Sequence, residues 1–400
     1  MAAVRAWAWS ELRRGRLGTV ALVLLIGLST AVAATAVAGA RRTDSAYDRF
    51  LDVSAAATHR LQYTAEEDVD GEVLERLRAH PDVEQAVPLW FTVAFSEATD
   101  YDIGVFHSSD PAMLREIDRP RLLEGRLPAP EADDEVVINE FLRHETGIGV
   151  GGTISLMTFS QEQLEEDRFD EGPGGPLLDL TVVGVGRLPD DVADEEASFL
   201  LAGSGYYERT AGKAGAFGPS FELIVRDGAD VGAVVDEAVA GLPVEEVELE
   251  GVEARADRVR DATRVLEIGL LLFGACAALA GLVACGQAVS RRLASLSVDQ
   301  GPLQAMGLTR AQRISGVLHV AVPIALTGAV LGAAVSVAAS PLMPIGVARR
   351  AEPSPGVDVD WTVVGIALVV AVGTLLATAA LAAWRLTAPS ATTAGVVVQP

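Results

Sequence analysis

Four nearly charge-free runs, Leu17–Ala40, Val265–Val289, Ser315–Ala339 and Trp361–Trp384, limit the fold of this chain more than any other feature. Each holds 24 or 25 residues. As a helix that is about 36 Å at roughly 1.5 Å per residue, enough to cross a bilayer. Lipid offers backbone amides no hydrogen-bond partner, so runs of this kind are expected to be helical. The rest of the chain is different. Residues 41–264 hold 49 of the 55 acids and 20 of the 31 basic residues, a formal charge of −29, whereas the remainder carries +5. The expected fold class is an α-helical membrane protein with four transmembrane helices plus an α+β extracytoplasmic domain inserted between helices 1 and 2. A block this acidic does not bind nucleic acid by neutralising phosphates, and it suits a soluble domain.

Basic residues set the expected orientation. Arg5, Arg13, Arg14 and Arg16 precede the first run, Arg291 and Arg292 follow the second, Arg310 and Arg313 precede the third, and Arg385 follows the fourth. The positive-inside bias then puts both termini and the loop 290–314 in the cytoplasm, and 41–264 and 340–360 outside, for a multi-pass protein of the plasma membrane. Arg41-Arg42 and Arg349-Arg350 dissent and are outvoted by the parity of four spans. Trp7 and Trp9 among the first arginines make 1–16 a juxtamembrane interfacial helix. Ala36-Val37-Ala38 offers a signal-peptide cleavage pattern. Its polar lead is long, however, and the apolar run exceeds the usual ~7–15-residue core, so 17–40 is read as a retained span. The spans are placed at 17–40, 265–289, 315–339 and 361–384, with a tail at 385–400.

Within 41–264, hydrophobic periodicity predicts strands at 61–64, 83–95, 101–106, 153–159, 178–187 and 221–226, and helices at 69–79, 111–117 and 231–242. Residues 135–145 read as strand running into helix, 161–176 as an acidic Gly/Pro-rich loop, and 252–264 as a charged helix entering the second span. The whole is expected as one α+β domain, in one or two lobes.

Chemistry-bearing motifs are few. Lys213, the one lysine, is followed by Ala214, whereas a phosphate loop of the GxxxxGK[ST] type needs Ser or Thr there. Any ATP-driven role must borrow its ATPase from another chain. Cys276 and Cys285 lie nine positions apart in an apolar run, about 13 Å along a helix, too far to bridge. The acidic run Glu66–Glu72 imitates a calcium loop, but Leu77 occupies the position that needs a bidentate Glu. It reads as a helix start whose acids favour the dipole. His144-Glu145 lacks the second histidine of a zinc-protease pattern, and no triad signature is present. No catalytic residue, metal ligand or bound cofactor is assigned. His319, in the third run, reads as a hydrogen-bonded packing histidine rather than a proton relay.

Several stretches together carry a family resemblance. RLLEGRLPAPEADDEVVINEFLRHETGIGVGGTISL (121–156) and LDLTVVGVGRLP (178–189) are similar to the periplasmic core domain of FtsX-like/MacB-type permeases of ABC transport systems. LQAMGLTRAQRISGVLHVAVPIALTGAVLGAAVS (303–336) resembles that family's coupling segment and glycine-spaced third span. Gln300-Gly301-Pro302 and Gln304 stand where the family carries R-E-x-x-x-L-R. By residue type alone, the loop 290–314 is a basic interfacial loop. The resemblance implies instead that Leu303, Gln304, Met306, Gly307, Leu308, Thr309, Arg310 and Arg313 meet a cytosolic ABC ATPase subunit. It further implies that Gly316, Gly328 and Gly332 serve close helix packing, and that ATP acts only through the partner. A chain with four spans, complete or one half of a duplicated permease, would pair with itself or with a homologous half in the lipid bilayer. Export of a hydrophobic compound, peptide or lipoprotein and mechanotransmission both fit. A membrane-anchored sensor or scaffold for a ligand or a cell-wall enzyme is the alternative.

Overall fold

Charged and capping residues at the ends of the apolar runs supply hydrogen bonds that lipid cannot, so the helices overrun the runs. The computed structural model describes residues 15–193, 197–295, 307 and 309–387. In chain order, α1 (Arg16–Asp44) leads to α2 (Ala46–Ser54), β1 (His59–Ala65), α3 (Asp70–Ala79), β2 (Val83–Phe95) and β3 (Ile103–His107). Then come β4 (Arg121–Gly125), β5 (Glu135–Ile138), α4 (Glu140–Thr146), β6 (Thr153–Thr158), α5 (Gln161–Glu165) and β7 (Leu177–Arg187). The domain continues through α6 (Asp190–Ala193), β8 (Ser198–Ala202), α7 (Ser204–Thr210), β9 (Phe217–Val225), α8 (Val231–Val239) and β10 (Val244–Gly251). The chain closes with α9 (Val252–Ser295), α10 (Arg310–Ala339), α11 (Val347–Ala351) and α12 (Trp361–Leu386). Among the described residues, four helices, α1, α9, α10 and α12, are long and apolar enough to cross a membrane.

The chain divides into two compact units. One holds α1, α9 from Thr263, α10 and α12; the other is Ser45–Ala262 together with Arg350–Pro353. In the second unit, ten strands form one mixed sheet in the order β10-β1-β9-β2-β3-β8-β5-β7-β4, with β6 pairing both β2 and β7. The β3/β8 and β5/β7 pairs are parallel. A single sheet replaces the two-lobe option. Helices α3 and α8 cover one part of it, burying Val73, Leu77, Val234 and Val235 against Leu61 and Phe221. A second core gathers Ile138, Leu142, Ile154, Leu156 and Leu180. Asn139 ends β5 and caps α4, its side chain accepting from the Leu142 amide at 3.0 Å, and Gly147 closes that helix with φ 69°. Gly125, at φ 77°, is required at the β4 turn, because a Cβ there would lie 2.2 Å from the Val183 carbonyl oxygen.

Two sequence expectations need correcting. Residues 111–117 form tight turns instead of a helix. The Asp110 carboxylate accepts from the Ala112 amide at 2.8 Å, and Leu114 takes a left-handed φ of 65°, which halts helical winding. The acidic loop 161–176 is partly ordered, since Ser160 and Gln163 form a capping box that starts α5.

In the first unit, α1 and α10 are the inner pair. They bury 39% and 44% of their most apolar stretches, against 17% each for α9 and α12. Small residues allow the approach. A Cβ on Gly332 would lie 2.6 Å from Thr30 Cβ and 2.7 Å from the Gly27 oxygen, and one on Gly328 would lie 2.8 Å from Ile26 Cβ. Gly274 and Gly281 of α9 meet Ala36 and Ser29 of α1 in the same manner. Pro323 lies inside α10, which runs unbroken through it.

Candidate coupling site

The start of α10 is built by its own sequence. Gly307 adopts φ 85°, a conformation open to glycine at little cost. Thr309 then caps the helix: its hydroxyl accepts from the Gln312 amide at 3.3 Å, and the Gln312 side chain accepts from the Thr309 amide at 2.9 Å. Arg310 turns toward the last turn of α12. It donates through Nη2 to the Trp384 carbonyl at 2.9 Å and through Nε to the Thr387 hydroxyl at 3.3 Å. Its guanidinium also lies 5.3 Å from the Trp384 ring centroid. One cation thus satisfies an orphan carbonyl at the end of α12 and fixes the end of one helix to the start of another. Nearby in the chain order, Arg292 at the end of α9 donates to the Thr19 hydroxyl of α1 at 2.8 Å. The start of α1, the end of α9, the start of α10 and the end of α12 therefore share one end of the bundle.

Leu303, Gln304, Met306 and Leu308, along with most of the 1–16 helix and the 385–400 tail, lie outside the described residues. Gly307, Thr309, Arg310 and Arg313 are gathered at the start of α10, and Gly316, Gly328 and Gly332 are buried along it. His319 meets the Ser315 carbonyl oxygen at 2.7 Å through Nδ1.

At the other end, Arg41 pairs with Asp360 at 3.3 Å. Arg42, only 7% exposed, donates to the carbonyls of Ser340, Gly356 and Ser354 at 3.2, 3.1 and 2.9 Å. Sequence reasoning treated these two arginines as dissenting charges. Nothing local to Arg41-Arg42 signals partners some 300 positions on. Between α1, α9 and α12 lies a cavity of about 230 Å³. The hydroxyls of Ser29, Thr374 and Thr378 on its wall bond to carbonyls of their own helices, which leaves the lining apolar.

In the sheet domain one buried titratable group stands apart. His107 is 2% exposed, bonds Thr92 through Nε2 at 3.1 Å, and lies 5.1 Å from the Tyr206 ring, centroid to centroid. Burial pulls its pKa down to about 4.

Residues 270–391, taking in most of α9 and all of α10 and α12, match the family of the FtsX-like permease C-terminal. The likeness to an FtsX-like permease C-terminal domain thus lies in the three helices after the sheet domain. Among the described residues, four helices are long and apolar enough to cross a membrane, as a membrane protein requires. The chain is also similar to the periplasmic region of MacB from Actinobacillus actinomycetemcomitans, at 9% identity and a TM-score of 0.32, over 50% of this chain and 92% of that one. A second likeness is to the extracellular domain of the noncanonic ABC-type transporter YknZ from Gram-positive bacteria, at 13% identity and a TM-score of 0.33, over 48% of this chain and 98% of that one. No curated protein matches it.

Proposed function

We propose that this FtsX-like chain is the membrane subunit of an ABC-type system, driven by a separate cytosolic ATPase that engages Leu303–Arg313. The supporting observation is that α10 starts at a capped junction that Arg310 ties to the end of α12, at the bundle end where Arg292 of α9 meets Thr19 of α1. A push delivered at this junction reaches α10 and α12 together, and β10 leads without a break into α9. In this reading both termini and the 290–314 loop are cytoplasmic, the sheet domain is external, and two copies, or this chain and a homologous half, present two coupling segments to two ATPase subunits. The work done outside is export of a hydrophobic compound, peptide or lipoprotein, or mechanical activation of an external partner.

The test is co-purification in mild detergent with the ABC ATPase of the same cell. The intact chain is expected to retain the ATPase, and the Met306→Asp/Leu308→Asp double variant to lose it while still inserting and folding. An intact chain that recruits no ATPase, or a double variant that binds it equally well, would leave the sensor or scaffold reading in place.

A further inference from the structure

We infer that Arg350–Pro353, in the middle of the connection between α10 and α12, works as part of the sheet domain and forms a third tie, besides α1 and α9, through which helix movement reaches that domain. The inference rests on the permease reading above.

These four residues belong to the compact unit of the sheet domain, although the chain on both sides of them belongs to the helical unit. Three arginines from three separate elements hold them. Arg187, at the end of β7 and 7% exposed, donates through Nη1 to the Arg350 carbonyl and through Nη2 to the Glu140 carboxylate. Arg121, at the start of β4, donates through Nη1 to the Glu352 carbonyl. Arg49 of α2 donates through Nη2 to the Glu352 carboxylate at 2.7 Å. Ala351, between the held residues, is 0% exposed.

A passive surface connection gives no reason to bury its acid. Glu352 is nevertheless 3% exposed, and a carboxylate leaves water only where partners compensate it. Fixing two backbone carbonyls and one carboxylate also fixes the segment in position and direction, because each arginine is anchored in the sheet domain. Burial, together with neighbouring Arg350 and Arg121, pushes the Arg187 pKa down to about 10. That crowding of cations is tolerable only with acids such as Glu140 and Glu352 among them. Since the segment is covalently continuous with α10 on one side and α12 on the other, it ties the domain to both helices. Arg49, Arg121 and Arg187 are thus positioning residues for force transfer.

The experiment uses the full chain in phospholipid nanodiscs, with tryptic cleavage after Arg350 quantified by mass spectrometry and cleavage after exposed Arg226 as the control for global unfolding. Arg49→Gln and Arg121→Gln leave the sequence around Arg350 unchanged. Together they are expected to speed cleavage after Arg350 by roughly tenfold, through easier local opening, with cleavage after Arg226 unaltered. An unchanged rate after Arg350, or equal acceleration at both sites, overturns the inference. In a second arm, MgATP and orthovanadate are added to the chain bound to its co-purified ATPase. Cleavage after Arg350 should change by about threefold in the native chain and stay constant in the double variant. If the ATPase binds and the native rate does not respond, the tie fails while the permease reading stands. If no ATPase binds, the permease reading falls and the force-transfer role falls with it, while the first arm still decides whether the segment is held.

Discussion

The two ends of the helical bundle carry similar arginines and use them differently. The end shared by the α1, α9, α10 and α12 termini carries Arg16, Arg291, Arg292, Arg310, Arg313 and Arg385. Partners there of Arg292 and Arg310 include hydroxyls, one carbonyl and an indole ring. At the opposite end Arg41, Arg42, Arg264 and Arg349 are matched in number by Asp44, Glu267, Asp358 and Asp360, and Arg41 pairs with Asp360 at 3.3 Å. Arg42 is a structural cross-brace for the connection after α10 rather than a free charge. Counting arginines along the chain therefore misjudges the second end, where the fold makes Arg42 a brace. The end with more arginines is the one proposed to face the cytoplasm, where headgroups and an ATPase can meet it.

If this contrast holds, Arg42→Ala should have the largest effect of the end variants. It strips donors from three carbonyls and is expected to cost roughly 3–4 kcal/mol, read as thermal unfolding in mild detergent. A loss no greater than that of Arg310→Ala would break the comparison. Acidification provides a reference inside the sheet domain. The folded-state pKa of His107 is about 4, below the unfolded value of roughly 6.5, so only the neutral form suits the fold. Its contribution is complete above pH ~6.5 and is lost as pH falls toward ~4, about 3 kcal/mol in all at ~1.36 kcal/mol per unit. His107→Phe should flatten that slope, followed through Trp90, whose ring lies 6.4 Å away.

Smaller changes sharpen the comparison. Asp360 caps α12, accepting from the Thr362 and Val363 amides at 3.0 Å each, besides pairing with Arg41. Asp360→Ala should cost about 1 kcal/mol or slightly more for the lost cap. Asp360→Asn, which keeps the cap, should cost a few tenths, because Arg41 is 56% exposed and the pair is solvent-screened. Arg310→Ala should cost at most about 1 kcal/mol in stability, with its main effect on the junction; Trp384 fluorescence would report the released ring. An Asp360→Asn loss matching that of Asp360→Ala would show that charge cancellation, not capping, governs that end.

Much of the fold was legible from local pattern. Val83–Phe95 and 178–187 read as strands because apolar residues dominate them, and Asn139 marks the change from strand to helix through its capping chemistry. β10 was not legible. Its Val-Glu-Glu-Val-Glu-Leu-Glu sequence has the acids of a solvated segment, and it becomes a strand by pairing with β1 at the sheet edge. β4 was hidden likewise, with Leu122 and Leu123 exposed at the opposite edge. Of the candidate site, the cap at Thr309 was foreseeable from Thr followed three positions later by Gln. The docking of Arg310 on Trp384 was not, since it joins residues 74 apart.

By itself the sequence determined four membrane-length helices, an acidic domain inserted after the first, and a basic loop before the third. Those properties sum over neighbouring residues, so no partner is needed to read them. Tertiary structure alone decided which arginines become braces, Arg42 and Arg187 among them. It also decided that Glu352, from a short connection between two apolar helices, is buried among arginines of the sheet domain. Whether a guanidinium is free depends on which carbonyls and carboxylates the fold brings within about 3 Å, and that is set by contacts between residues far apart in the chain.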